Sequence, residues 1–427
     1  MQDTDSQNGN PKNSAASSSE PHSAGPHGSG PEGARSSKPA SGSRSKSVSE
    51  HKSGKNKSSQ RPHKTRLYAA VDLGTNNCRL LIVERSGGLG FRVRDSFSRI
   101  VRLGEGLEAS GKLSEDAMER TLAALRIAAS KIRRANVVRL RCVATEACRG
   151  ASNGAEFIRR VRKETGLRME IIDGQAEAEL AAIGCGSLFD ENVDDIILYD
   201  IGGGSTEISR MSRQTSNAPQ NQDFFKLVDS DSVPLGVVRL SERHAGPGPH
   251  EHGYEGMLQE SETRLKAFMD RQADMVDMSR VQIIGTSGTV TTLAAVQLGL
   301  ARYDRNVVDG CTISAENVTE VIGNLRQMSR DQLAENPCIG AQRADLVLSG
   351  CAVLEAIHTR WPVAKVSVAD RGLREGLLLR MIKKDMRRNR RNRGRRRTSH
   401  ETGHETGHET GHETGATNNP APKGQDT

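Results

Sequence analysis

Two short segments, far apart in the chain, bend the backbone in the same way: Val71-Asp72-Leu73-Gly74-Thr75-Asn76-Asn77 and Tyr199-Asp200-Ile201-Gly202-Gly203-Gly204-Ser205-Thr206-Glu207. Each follows an apolar run, Leu67 to Val71 and Ile196 to Tyr199, that reads as a buried strand, and each turns at glycine into small hydroxyl or amide residues. Glycine lets the backbone approach an anion closely and turn its N–H groups inward, while Thr, Ser and Asn add neutral donors. The Asp that ends each strand is a hard oxygen ligand for a divalent cation accompanying a phosphate. One Asp-x-Gly is an ordinary strand-to-turn signal. Two of them, a domain's length apart, constrain the chain to two related lobes facing one cleft.

Of the 427 residues, the first 65 cannot build a core: they hold 17 Ser, 6 Pro and 7 Gly and no aromatic residue. Such a segment buries too little surface to offset its ordering entropy, so residues 1–65 are expected to be disordered. The polar, repetitive stretch 383–427 is expected to behave likewise, leaving a folded core of 66–382, divided at 195/196 into an N-terminal and a C-terminal lobe. The net charge of +8 belongs to the ends, +5 in residues 1–65 and +5 in 383–427, so the core is near −2. Basicity therefore says little about the cleft. Seven dispersed cysteines without a C-x-x-C pair argue against a disulfide framework and a structural zinc site and suit a reducing cytoplasm. No signal-peptide core and no run of 18 apolar residues stands in the sequence, so neither secretion nor membrane insertion is indicated.

Along the core, strands Leu67 to Val71 and Arg79 to Val83 flank the first glycine turn, and Phe91 to Arg102 adds a third. Ser114 caps a helix whose Met118, Leu122, Leu125, Ala129 and Ile132 share one face. Strand Val137 to Val143, helix Asn153 to Glu164, strand Arg168 to Ile172 and helix Ala176 to Ile183 complete the order of a ribonuclease H-like lobe. The second lobe opens at Ile196 and continues through a polar insertion near Arg213 to Gln222. Strand Phe224 to Val228 follows, then a helix near Tyr254 to Met275, strand Val281 to Ile284, helices around Val290, Ala315 and Ala344, strand Lys365 to Val368 and helix Leu373 to Ile382. The class is α/β.

A third glycine turn, Gly285-Thr286-Ser287-Gly288-Thr289, joins an apolar strand to a helix, so its amides and the helix N-terminus can face an anion together. Just before the second glycine loop, Glu177 stands at the start of a helix, where it is either a solvated position or a carboxylate beside phosphate oxygens, suited to take a proton from water. Asp200 and Glu207 flank the second loop at a spacing that lets both reach one cation.

The motifs Asp72-Leu73-Gly74-Thr75-Asn76, Ile172-Asp173-Gly174-x-x-Glu177-Ala178, Asp200-Ile201-Gly202-Gly203-Gly204-Ser205-Thr206-Glu207, Pro234-Leu235-Gly236-Val237-Val238-Arg239-Leu240 and Asp370-Arg371-Gly372-Leu373-Arg374-Glu375-Gly376-Leu377 stand in the order seen in the exopolyphosphatase/guanosine pentaphosphate phosphohydrolase family, which the chain resembles over essentially all of 66–382. The resemblance implies two ribonuclease H-like lobes of the actin-like ATPase fold and hydrolysis of the terminal phosphate of inorganic polyphosphate or pppGpp. It also implies a requirement for Mg²⁺ or Mn²⁺, with Glu177 as the catalytic carboxylate and Asp200 and Glu207 as metal or water-positioning groups. Phosphates are then expected on Gly74, Thr75 and Asn76, on Gly203, Gly204, Ser205 and Thr206, and on Ser287, Gly288 and Thr289. Arg102 and Arg149 sit where the family has recurring arginines, suited either to clamping the substrate or to ordinary salt bridges. Arg239 and Arg374 read as structural. Three positions depart from the family pattern: Asn77 and Asp173 stand where Ser is usual, and Ala176 stands where a second Glu is usual. Ending soon after Gly376-Leu377, the chain resembles the short class.

Lys383 to Arg397 holds 10 Lys or Arg and one Asp, and four His-Glu-Thr-Gly units follow from His400. Such a run suits RNA or another polyanion, although no aromatic residue is interleaved for base stacking. Two rivals to the hydrolase reading stand at this level, a sugar-kinase or chaperone-like ATPase of the same fold and a non-catalytic polyanion scaffold. The sequence leaves a homodimer open.

Overall fold

The computed structural model describes residues 66–214, 225–244, 251–275 and 277–401. The serine-rich segment 1–65, most of the polar insertion and the repeats beyond His400-Glu401 lie outside the described residues.

The first lobe opens with β1 (Leu67–Leu73), β2 (Asn77–Arg85) and β3 (Phe91–Ile100), an antiparallel meander. A short α1 (Leu107–Ser110) leads to α2 (Glu115–Arg134), whose first turn is capped by Ser114 accepting from the Ala117 amide. Then come β4 (Arg139–Ala144), α3 (Glu146–Gly150), α4 (Gly154–Thr165), β5 (Met169–Ile171) and α5 (Gly174–Cys185). β4 pairs parallel with β1 and with β5, so the sheet order is β3-β2-β1-β4-β5. Ala69, Val71 and Leu73 of β1 face α2 and α4, where Leu122, Leu125, Phe157 and Val161 are buried, while Tyr68 and Ala70 face the opposite side. Covered on both faces, β1 is an unbroken apolar run from Leu67 to Val71 rather than an alternating one.

The second lobe repeats the scheme: β6 (Asp195–Ile201), β7 (Thr206–Arg213) and β8 (Phe225–Val233) form a meander. They are followed by α6 (Val237–Arg243), α7 (Glu251–Arg271), β9 (Val281–Thr286), α8 (Ser287–Gln297), α9 (Arg305–Val308) and β10 (Thr312–Ser314). α10 (Ala315–Gln327), α11 (Arg330–Glu335), α12 (Val347–Arg360), β11 (Lys365–Ala369) and α13 (Leu373–Glu401) complete it. β9 lies parallel between β6 and β11, giving the order β10-β11-β9-β6-β7-β8, the first lobe's arrangement with one edge strand added. Its core gathers Tyr199, Leu265, Phe268, Leu293 and Trp361, the last two rings meeting edge to face with centroids 6.2 Å apart.

Two helices stitch the lobes together. α5 turns Leu180 toward the first sheet and Ala181, Ala182 and Cys185 toward Ile196, Leu198 and Ile284 of the second. α13 leaves the second sheet after β11 and returns to the first, burying Leu377, Leu378, Met381 and Ile382 against Tyr68, Ala70, Leu81 and Val83. The two helices touch through Gly376: a Cβ there would stand 1.9 Å from the Leu180 carbonyl oxygen, so no larger residue fits.

The expected end of order at Ile382 does not hold. α13 runs to Glu401, because no Gly or Pro interrupts the Lys/Arg/Asn sequence before Gly394 and because Asp385 anchors its middle. That carboxylate is buried and accepts from the Tyr68 hydroxyl at 3.2 Å and from Arg139 Nη2 at 3.1 Å. Among the described residues no helix is long and apolar enough to cross a membrane. The seven cysteines are free thiols.

Candidate active site

The strand tips of the two lobes converge on one cleft. The turn after β1 is closed by the Gly74 amide donating to the Asn77 carbonyl at 2.9 Å, and Val101, Arg102 and Gly104 donate back to the carbonyls of Asn76, Asn76 and Thr75. This pins Thr75 and Asn76 against the loop after β6: a Cβ on Gly203 would lie 3.1 Å from Thr75 Cβ, and one on Gly204 would lie 2.4 Å from Thr75 Oγ1. Only glycine allows the two loops to meet this closely. The amides of Thr75, Asn76, Gly203 and Gly204 donate to no backbone carbonyl among the described residues, which leaves them for an anion.

Asp200 is the penultimate residue of β6 and Glu207 is its cross-strand partner on β7, so both side chains leave the sheet on one face. Glu207 is buried, and its Oε1 accepts from Ser205 Oγ at 2.6 Å and Ser232 Oγ at 2.8 Å. Asp200 takes a hydrogen bond from Ser287. Glu177 enters from α5, whose N-cap Asp173 accepts from the Ala176 amide at 2.8 Å. Asp does the capping work of the family's Ser at this place. The Ala176 side chain packs against the α5–α13 cluster rather than into the cleft.

Charge is concentrated here. Burial pushes the Glu177 carboxyl well above the ordinary carboxylate range, the negative field of Glu207 adds to this, Arg149 opposes it, and Asp200 and Asp72 reinforce it. Glu207 is pushed up to about 7 by burial and by Asp200, against the pull of its two serine hydrogen bonds. Asp200 rises to about 6 through burial, and Asp72 rises for the same reason. Arg149 is the cation nearest the base: its Nη1 donates to the Ile172 carbonyl at 2.7 Å and to Glu177 Oε2 at 3.4 Å.

The residues expected on phosphates divide. Gly74, Thr75, Asn76, Gly203 and Gly204 line the meeting point of the loops, and Asn76 Oδ1 is buried without a partner. Arg102 stands half-buried beside them with φ +48°, its amide donating to the Asn76 carbonyl at 3.1 Å. The hydroxyls of Ser205 and Thr206 are engaged, one with Glu207 and the other with the Leu235 carbonyl at 2.5 Å, so only backbone remains to serve a ligand. At the third turn no loop exists. Gly285 and Thr286 stay in β9, α8 starts at Ser287 with φ +77°, and the Thr289 side chain packs on Gly350 of α12. The amides of Ser287, Gly288 and Thr289 are the orphan donors of that helix start.

Three groups, Arg79, Ser232 and Glu146, escaped the motif reading, and a fourth, Arg374, stood in a motif but was read as structural. Arg79 on β2 and Arg374 on α13 both lower Asp72 and Asp200 by their positive charge. Ser232 reaches Glu207 from β8, and Glu146 stands between Arg149 and Arg239. Arg79 was legible as a cation two residues past the first turn, in register with Asp72; the partners of Ser232 and Glu146 depend on the folded topology.

Among the described residues no three Asp, Glu, His or Cys side chains stand close enough to hold a metal by themselves. That fits Mg²⁺, which is commonly bound by one or two carboxylates with water and substrate phosphates filling its octahedron. Asp200 and the free Oε2 of Glu207 are hard oxygen donors on one face, and the upward shift of both carboxyls in pKa marks a site short of positive charge.

Comparison with known proteins identifies the family. The sequence profile of the Ppx/GppA phosphatase family matches residues 81–385. The chain is 29% identical over 331 residues to exopolyphosphatase 2 of Mycobacterium tuberculosis, covering 73% of this chain and 98% of that protein. It superposes on the crystal structure of the Aquifex aeolicus member of the family with a TM-score of 0.62 at 26% identity, covering 75% of this chain and 98% of the other. An exopolyphosphatase from Cytophaga hutchinsonii shares the fold, with a TM-score of 0.66 at 24% identity over 74% of this chain and 98% of that one. The chain therefore belongs to the Ppx/GppA phosphatase family and is a phosphoanhydride hydrolase of the two-lobed actin-like ATPase fold.

Proposed function

We propose that the cleft removes the terminal phosphate of inorganic polyphosphate, with Glu177 as general base. The observation that carries this is the position of Glu177: half-buried at a helix start with its side chain 13% exposed, paired with Arg149, and near enough to Asp72, Asp200 and Glu207 of the two glycine-loop strands to feel their charge. A carboxylate raised by burial and neighbouring charge accepts a proton near neutral pH, where an ordinary one would be too weak a base. Glu177 takes the proton of a water held in line with the terminal P–O–P bond. The new P–O bond forms as the bond to the bridging oxygen breaks, and the shortened chain leaves with that electron pair. The free amides of Thr75, Asn76, Gly203 and Gly204 donate to the non-bridging oxygens, and Arg149 neutralises charge beside the base. Asp200 and Glu207 would hold Mg²⁺ or Mn²⁺, which supplies positive charge to the transferred phosphoryl group.

Two properties outside the cleft accord with this substrate. α13 carries Lys383, Lys384, Arg387 and Arg388 beyond the sheet and continues through an arginine-rich stretch, a cationic element that would raise the local concentration of a polyanion, whether polyphosphate or RNA. Free thiols at all seven cysteines suit a reducing cytoplasm. The experiment is phosphate release from long-chain polyphosphate, pppGpp and ATP measured in parallel with Mg²⁺. Polyphosphate should turn over fastest; a clear preference for pppGpp would assign the same site to the nucleotide, and a preference for ATP would contradict the proposal.

A further inference from the structure

Next to the base lies a carboxylate, Glu146, that neither the family motifs nor the mechanism above uses. Glu146, at the first turn of α3 in the first lobe, sends its carboxylate between two guanidinium groups. Its Oε2 accepts from Arg149 Nε at 3.0 Å and lies 2.8 Å from Arg149 Nη2, and its Oε1 lies 3.1 Å from Nη1 of Arg239 on α6 of the second lobe. The side chains of Glu146 and Arg239 are 14% and 15% exposed, so the bridge sits inside the cleft wall rather than on the surface. The stem of Glu146 also lies against the second glycine loop: a Cβ on Gly204 would stand 2.9 Å from Glu146 Cγ and 2.4 Å from Thr75 Oγ1. Two arginines thus grip one carboxylate beside the second glycine loop, a pair of cationic donors that suits a tetrahedral phosphate.

Neither arginine depends on Glu146 for its place. Arg149 is held by the Ile172 carbonyl and by Glu177, and Arg239 Nε lies 3.2 Å from Glu108 Oε2. With the Glu146 charge removed, each arginine keeps these other contacts, and the donors now turned to Glu146 fall free.

We propose that Arg149 and Arg239 form a phosphate subsite whose resting occupant is the Glu146 carboxylate, an internal anion that a phosphate of the substrate chain must displace. The inference rests on the reading of this cleft as a phosphoanhydride-hydrolysing site. Arg149 touches both Glu146 and Glu177, so the subsite adjoins the reacting phosphorus and would take a phosphate of the same chain. A chain that binds through several phosphates at once displaces Glu146 more readily than a single orthophosphate does. Glu146 thereby weakens retention of the product relative to the substrate. It also bridges the lobes while the subsite is empty, because Arg149 and Arg239 belong to different lobes.

The test is equilibrium binding of inorganic triphosphate at low ionic strength with Mg²⁺, measured by calorimetry on the full chain carrying Glu177→Gln, so that the ligand survives. Adding Glu146→Gln, which keeps shape and removes charge, should tighten binding by about tenfold, the order expected when one like charge is removed beside a bound anion. Glu146→Ser, which also clears the space, should tighten it at least as much, and Arg239→Gln should weaken it. In the otherwise unaltered enzyme, Glu146→Gln should strengthen inhibition by inorganic phosphate. Equal or weaker triphosphate binding by both Glu146 variants, with melting curves confirming their folding, would overturn the proposal by making Glu146 a structural partner of the arginines. Absence of triphosphate binding in every variant would overturn it as well. Full hydrolytic activity in the Glu177→Gln parent would instead count against the reading of the base, and is read separately.

Discussion

Substituting Glu207 by Gln should make the protein more stable while making it a worse enzyme, and the size of the effect follows from its surroundings. Burial and the charge of Asp200 raise this carboxyl from 4.5 to about 7. Its folded form therefore binds a proton more tightly than its unfolded form. Below about pH 4.5 both forms are protonated and the group is neutral to stability. As pH rises from there to about 7 the unfolded chain ionises first and native stability falls; above that it stays level. At pH 8 the accumulated penalty is roughly 3 kcal/mol. Glutamine carries no charge to bury, and its amide oxygen can still accept from Ser205 and Ser232, so most of that penalty should disappear. Denaturant unfolding with chelator present should show the variant about 1–3 kcal/mol more stable than the wild type at pH 8 and equal to it near pH 4.5. Added Mg²⁺ should narrow the difference at pH 8, since the wild-type carboxylate then gains its counter-charge. A variant that is less stable at pH 8, or whose advantage does not change with pH, would refute the reasoning that this carboxylate is held against its own ionisation.

Other consequences are open to direct measurement. Asp200→Asn should raise the Mg²⁺ concentration needed for half-maximal rate, because an amide is a weaker ligand for a hard cation; an unchanged titration would put the cation elsewhere. Asp385→Ala should leave the Tyr68 hydroxyl and Arg139 without their acceptor and cost about 1–3 kcal/mol in a denaturant melt, with turnover of the folded protein little altered. Removing residues 389–427 spares that anchor and should raise KM for long polyphosphate several-fold at low salt, an effect that fades as salt is added while kcat holds. Should the truncated protein match the full chain at low ionic strength, the basic extension serves another partner, RNA being the next to titrate.

Local chemistry was readable where it is written in neighbouring residues. Ser114 marks a helix start by its own side chain, the spacing of Leu122, Leu125, Ala129 and Ile132 gives α2 its buried face, and the two Asp-x-Gly turns identify the strand tips that meet. The meander followed by parallel strands was legible as an order of elements in the first lobe, whereas in the second the middle strand β7 went unread because its residues follow the glycine loop as a mixed polar run. What depends on distant pairing was not. Nothing near Leu373 says that α13 turns back to cover Tyr68 and Ala70, since that choice is made by the complementary gap at Gly376 and Leu180. At Ser205 and Thr206 the sequence offers phosphate donors, yet their hydroxyls are claimed by Glu207 and Leu235, because the strand pairing brings those acceptors within reach. Arg239 looked structural from its helix alone. Its place opposite Arg149 appears only when α6 of one lobe is set against α3 of the other.

The central claim is that Glu177 is the base, and the most direct measurement is the rate of phosphate release from long-chain polyphosphate by Glu177→Gln beside the wild type, with binding of the same polymer followed in parallel. The amide keeps the contact with Arg149 but cannot accept a proton at neutral pH, so turnover should fall by about 10² to 10⁴ while binding persists. Turnover within a few-fold of the wild type, at any pH from 6 to 9, would contradict the account and place the base elsewhere in the cleft.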